Sequence, residues 1–565
     1  MSWGEVMPAR LERGKHMLRM RRSLIGCLAL TAALAVTAAG YAQSATKFTT
    51  GSSDPIIQYI NEQIRTGWTD NEVKPSEVAD DMEWLRRVYL DIVGHIPPSE
   101  KVEAFSRSKE PNKRQLVIDE LLQDPGYVGN MTTVWTNVLL GRNTPDRTDR
   151  AALEKFLREG FAKNRPWNEM VFDLVAAEGH YTENGAVNFL LGQLQGNANS
   201  EDYAVEATAR LTRIFLGMQV QCTQCHNHPF NEWKQNQFWE FNSFLRQVVR
   251  IDHDKYNPKT GQMDDDYSEL AFRDFKGPVY FENRAGLVQV AYPKYLNAEV
   301  DQNSPQRRTE LATLMTKNDS TRQVALAMVN RMWGHFFGYG FTKPVDDMGP
   351  HNPASHPELL DRLADEFVKS GYDIKKLCQW ICNSEAYNLT SQFNPKNQVD
   401  NPAAGEVALF SHMYTKPLQV EQLYDSLIIA TNANAAGQSS YEAAQQQRDR
   451  WLAEFKRIFG GADDSEPTLF SGTIPQALLM MNGQLVKSAI STEEGSFLSA
   501  MMKSNAKNEA DVVRSMYIAA LGRVPTRAET TALRKTMAAY GNYRLEWFQD
   551  VYWALLNSNE FVTNH

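Results

Sequence analysis

Only five of the 565 residues are cysteine, so the chain is not a small disulfide-held scaffold, whose thiols are packed into far fewer residues. A basic excess is missing as well. Lysine and arginine number 59 against 68 aspartates and glutamates, a formal net charge of -9, and no basic stripe marks a nucleic-acid partner. There is no short-period repeat of the solenoid kind. Past the N-terminal region no apolar run is long enough to span a bilayer, so no membrane span is expected in the mature chain. What remains is ordinary globular chemistry, with 42% hydrophobic and 22% charged residues. The length exceeds one hydrophobic core, and about 150 residues per domain predicts two to four domains.

The N-terminus has a different character. Arg10, Arg13, Lys15, Arg19, Arg21 and Arg22 lead into an apolar, alanine-rich run over 24–39, followed by Gly40-Tyr41-Ala42, small residues at the positions a signal peptidase reads. Residues 1–42 therefore read as a signal peptide, and the mature chain as exported, periplasmic or extracellular. The run is too short and too rich in Ala and Thr for an anchor. Arg21-Arg22-Ser23-Leu24-Ile25 also fits a twin-arginine signal, and Met17 or Met20 is a candidate start. Leu24-Ile25-Gly26-Cys27 matches a lipoprotein box, but its apolar region follows Cys27 instead of preceding it, which argues against lipidation. Removal of this segment leaves four cysteines in two tight pairs, Cys222 with Cys225 and Cys378 with Cys382.

The fold expected is mainly α, multidomain, with a small β element between two helical domains. Residues 43–54 are a flexible lead-in. Residues 55–250 form a helical domain, with Ile56, Ile57, Ile60, Ile64 and Trp68 at helical spacing and a second helix opening at Pro75-Ser76. A long helix from Glu201 to Gly217 leads into Cys222, and another, carrying Trp233, Phe238, Phe241 and Phe244, follows Pro229. Residues 251–308 form a β-containing connector, a hairpin being expected around Val279-Tyr280-Phe281 and Leu287 to Val290. Residues 309–565 return to helices.

The motif that carries chemistry is Cys222-Thr223-Gln224-Cys225-His226-Asn227-His228-Pro229. In CxxCH, two thiols add to the porphyrin vinyl groups and the adjoining histidine ligates the iron, so Cys222, Cys225 and His226 form a candidate heme c site. Export supports this, because heme c is attached outside the cytoplasm. The axial position opposite His226 has only Met263 and Met348 as candidates. Zinc is the rival: Cys222, Cys225 and either His226 or His228 supply N/S donors, with a fourth needed from His95, His335 or His356. A redox dithiol with lowered thiol pKa and a structural disulfide are further readings. Cys378 and Cys382 share the apolar face of a helix with Leu377 and Ile381 and read as core packing. Asp346, Asp347 and His351 lie near one another in sequence as a candidate polar site, though acids before a turn are more often caps.

Two sets of motifs carry a resemblance to a known family. The first is Arg86-Arg87-Val88-Tyr89-Leu90-Asp91-Ile92-Val93-Gly94-His95-Ile96-Pro97-Pro98 together with Phe215-Leu216-Gly217 and Cys222 through Trp233. The second is Val329 through Gly340, Ser355 through Asp361, and Trp553 through Phe561. In this order they resemble the paired domains of unknown function abundant in planctomycetes, the first described as cytochrome c-like. The resemblance implies an exported protein with a cytochrome-like CxxCH at Cys222, Cys225 and His226, but no reaction. Many relatives add an N-terminal cytochrome domain that is not seen here, leaving a single heme candidate.

The leading expectation is an exported heme c redox or electron-transfer protein with a redox or protein partner. The alternative is a metal- or disulfide-stabilised binding or scaffold protein without heme. A hydrolase built on Asp346, Asp347, His351 and His356 is a weaker third, for which no nucleophile–base constellation stands in the sequence.

Overall fold

The computed structural model describes residues 54–194, 203–296, 298, 300, 304–317, 322–459, 479–503 and 508–565. The signal segment and the lead-in up to residue 53 lie outside the described residues.

Helices dominate, as the three- and four-residue spacing predicts. Pro55–Asp70 forms behind Asp54, whose carboxylate accepts the Ile56 amide at 2.8 Å, and it buries Ile56, Ile57, Ile60, Ile64 and Trp68. The second helix starts later than Pro75-Ser76. It runs Asp81–Ile92, because Asp80 is the cap, accepting the amides of Met82 and Glu83. The stretch before it is held extended: the Ser76 amide donates to Ser411 and the Ala79 amide to Asn388. The helix leading to Cys222 is Val205–Phe215, shorter than expected, with Glu201 outside the described residues. The following one is Gln235–Leu245, which leaves Trp233 on the loop before it.

The hairpin expected in the connector is present as Val279–Glu282 against Val288–Ala291, antiparallel, with Phe281 opposite Gln289. Its first strand alternates, with Val279 and Phe281 inward and Tyr280 outward, while the second buries only Ala291. A longer hairpin was not foreseen. Val248–Asn257 pairs with Gln262–Phe272, Gly179–His180 adds a third strand, and strand structure therefore begins before residue 251. The far half of this hairpin is exposed on both faces, so no apolar–polar alternation announces it. Arg147 ties its two strands by pairing with Asp254 and Asp265.

Among the described residues, three cores hold these elements. The largest collects buried residues from Ile56 to Tyr414, together with Ile518, and so draws on both sides of the 251–308 connector. The second collects Leu418 to Phe561 with Leu90 and Ile96. Two buried arginines brace them: Arg86 donates to the carbonyl of Phe561, in the second core, at 2.7 Å, and Arg87 to those of Tyr387 and Leu389, in the first, at 2.6 and 2.8 Å. The third core is small, made of Val220, Phe238, Trp239, Val279, Phe281 and Ala291, and the CxxCH turn rests on it. Among the described residues no helix is long and apolar enough to cross a membrane.

Candidate functional site

The chain leaves Val205–Phe215 through Gly217, whose φ of +64° is a left-handed turn that a side chain would strain, and where a Cβ would meet the Met348 methyl at 2.5 Å. It then forms a single 3-10 turn, Gln221–Gln224, on top of the small core. Thr223 is buried beneath it, its hydroxyl donating to the Val220 carbonyl at 2.6 Å, while Cys222 and Cys225 remain exposed free thiols. The Gln224 carbonyl accepts from the Trp239 indole at 3.0 Å and from the Gln235 amide group at 3.1 Å. That same Gln235 group reaches the Glu282 carbonyl at 2.9 Å, fastening the turn to the hairpin.

The two histidines of the motif are held in opposite protonation patterns. His226 Nδ1 lies 2.7 Å from the Asn227 carbonyl, which can only accept, so in the neutral ring Nδ1 carries the proton and Nε2 keeps its lone pair. His228 Nδ1 accepts the amides of Phe230 and Asn231 at 3.2 and 3.0 Å, so in the neutral ring the proton sits on Nε2. His226 thus presents its Nε2 outward of this contact, and His228 is the acceptor that closes the loop. Burial first, and then the neighbouring His351, hold the His228 pKa below its ordinary value. This gives His228 a role that heme attachment alone leaves unexplained.

A second segment lies against the turn. The Met348 amide donates to the Gly217 carbonyl at 2.7 Å, and the Gln323 side chain to the Leu216 carbonyl at 2.6 Å. Asp346 accepts from Gln219 and from Arg213, each at 2.8 Å, with Arg331 3.8 Å away. Asp347 bonds His351 Nε2 at 3.0 Å, and the His351 ring stands 5.6 Å from that of His228. Asp346, Asp347 and His351, read from sequence as a separate polar region, therefore sit beside the CxxCH turn. His356 faces elsewhere, its ring packed on Phe341 and Phe410 with Nε2 against Gly67, and burial pushes its pKa down to about 4.

Residues 59–250 match a family model described as PSCyt2, a protein of unknown function (DUF1549), and residues 307–466 match one described as PSD1, a protein of unknown function (DUF1553). The chain carries this PSCyt2–PSD1 pair. No curated protein and no solved structure matches it. The turn thus belongs to the PSCyt2 region, and the residues from Gln323 to His351 that press on it belong to PSD1.

The residues fit a covalently tethered heme: two accessible thiols in CxxC register, and beside them an imidazole whose Nε2 is free to ligate. The dithiol reading expected lowered thiol pKa values, whereas the Cys222 thiol is pushed up, by burial and then by the Asp347 charge. For zinc, the donors are not gathered. Among the described residues no group of three or more His, Cys, Asp or Glu is placed to hold a metal; His335 Nε2 is on the Asp91 carbonyl and His356 lies in its aromatic nest. Met348 is packed on Gly217, and Met263 is exposed on the long hairpin. Cys378 and Cys382 are fully buried in the main core, with thiol pKa values raised by burial, in keeping with packing. Gln219 and Arg213 had no local signal in the sequence, since their partner Asp346 lies far along the chain.

Proposed function

We propose that the PSCyt2–PSD1 chain is an exported heme c protein with a redox or electron-transfer role. The observation that carries this reading is the contact of His226 Nδ1 with the Asn227 carbonyl at 2.7 Å, which in the neutral ring leaves Nε2 to ligate, next in sequence to the accessible thiol of Cys225 and near that of Cys222. Bound heme would supply a one-electron iron couple. The chain's own part is to tether it through Cys222 and Cys225, to ligate it through His226, and to keep the His226 ring oriented through the Asn227 carbonyl. The turn itself is anchored by Thr223, Gln235 and Trp239, so ligand orientation is set by packed side chains.

The test is expression with its export signal in a host able to mature c-type cytochromes. Colour that stays with the protein through acid-acetone extraction, and is lost when Cys222 and Cys225 are both changed to Ser, is the expected result. Colourless protein that holds stoichiometric zinc would instead favour the metal-stabilised scaffold.

A further inference from the structure

The segment joining helix Val205–Phe215 to the 3-10 turn at Gln221–Gln224 is short, and its polar groups need partners. The last carbonyls of a helix have no partner within it. Just past the helix end, the next two carbonyls are met from the other family region: Leu216 O by the Gln323 side chain at 2.6 Å and Gly217 O by the Met348 amide at 2.7 Å. One step nearer the cysteines, the Gln219 side chain reaches Asp346 Oδ1 at 2.8 Å, and Arg213, on the helix itself, reaches Asp346 Oδ2 at 2.8 Å. Three of the four residues from Leu216 to Gln219 thus make a hydrogen bond to PSD1.

Asp346 in turn is held in place by a motif without an assigned role. Asn330, fully buried on helix Gln323–Phe337, donates to Thr342 Oγ1 at 2.8 Å and to the Val345 carbonyl at 2.9 Å, and accepts the Phe341 amide at 2.7 Å. Gly334 and Gly340 let that loop lie close, since a Cβ on either would meet Val345 within 2.9 Å and 2.7 Å respectively. Arg331, next along the helix, faces the Asp346 carboxylate at 3.8 Å. The run from Asn330 to Gly340 therefore shapes the loop whose Asp346 reaches across to the segment before Cys222.

We infer that Asp346 is a positioning residue for the CxxCH turn, acting through Gln219, so that the site is built by both family regions together. This rests on the heme reading only where the cofactor is the readout. The turn can be followed without heme, through alkylation of Cys222 by iodoacetamide in the heme-free full-length chain. Gln219→Ala and Asp346→Ala should each speed Cys222 alkylation several-fold. Because both cut the same link, the double variant should be no faster than the quicker single one. Asp346→Asn keeps an oxygen for Gln219 and should lie between parent and Asp346→Ala. Should Asp346→Ala fail to fold by circular dichroism, Gln219→Ala and Asp346→Asn carry the test. Unchanged alkylation in Gln219→Ala, or rates that multiply in the double variant, would overturn the inference. In the heme-loaded chain the same variants should shift the midpoint potential while the heme stays covalently attached. If no heme attaches to the parent, the functional reading fails while the alkylation result stands.

Discussion

His335 Nε2 donates to the main-chain carbonyl of Asp91 at 2.9 Å, joining the two sequence motifs that mark the family regions. Around this bond the Asp91 carboxylate is buried and fully engaged: Lys416 Nζ, the Tyr387 hydroxyl and the Asn564 amide each lie 2.7 Å from one of its oxygens. Lys416 also donates to the Phe336 carbonyl at 2.8 Å. The carboxylate thus ties together helix Asp81–Ile92, the strand pair Lys416–Pro417 with Thr563–Asn564, and the large core.

Replacing Asp91 by Ala would leave the Lys416 ammonium buried without its counter-charge. Breaking one side of such a pair costs about 3–5 kcal/mol. Asp91→Ala should therefore lower the denaturation midpoint sharply, and Asp91→Asn, which keeps hydrogen-bonding capacity, by less. A midpoint within error of the parent for Asp91→Ala would show that the pair contributes nothing net.

The opposite tautomers of the two motif histidines predict opposite phenotypes. His226→Ala should alter the Soret and visible bands of the loaded protein, since it removes the ligating Nε2. His228→Ala should retain attached heme and lose only the acceptor of the Phe230 and Asn231 amides, at a cost of about 1 kcal/mol for a half-exposed loop. Visible spectra and urea melts of the two variants, side by side, separate the roles. Loss of ligation in His228→Ala with retention in His226→Ala would reverse them.

Helical spacing made most of the fold legible, because faces such as Ile56, Ile60 and Ile64 are set by local periodicity. The long hairpin escaped because Asp254, Lys255, Asp264 and Asp265 face solvent, where no burial imposes alternation. The start of helix Asp81–Ile92 was misplaced because the choice between Ser76 and Asp80 as cap depends on Ser411 and Asn388, which are distant in sequence. At the candidate site, the CxxCH spacing singles out Cys222, Cys225 and His226. What could not be read was the role of His228, which depends on loop geometry, or the approach of Asp346, which depends on tertiary packing.

The small core beneath the turn should respond as a unit. Phe281 stacks on Trp239 with ring centroids 5.7 Å apart, and both are buried. Phe281→Ala removes a ring from this contact, and such truncations cost about 3–5 kcal/mol. Hydrogen exchange should then rise in the hairpin Val279–Ala291 and around Gln224 together, while helix Pro357–Lys369, packed in the large core, stays protected. Exchange rising in the hairpin alone would mean that the turn stands without it.

His356 gives the protein a defined acid sensitivity. Burial lowers its pKa from 6.5 to about 4, and the Asp400 and Glu358 charges only partly oppose this. The unfolded chain therefore binds a proton that the folded one resists between these two values. Stability from this group is fully present above pH 6.5 and falls as the pH drops toward 4, by about 3 kcal/mol at the end of the window. His335 and His228, whose pKa values are also lowered by burial, add to the same trend, so a variant is needed to isolate His356. His356→Gln removes the titrating group from its nest between Phe341 and Phe410. Urea midpoints measured at pH 7.5 and pH 5 should differ less in this variant than in the parent, even if both of its midpoints are lower. An equal drop in the two proteins would assign the acid sensitivity to other groups.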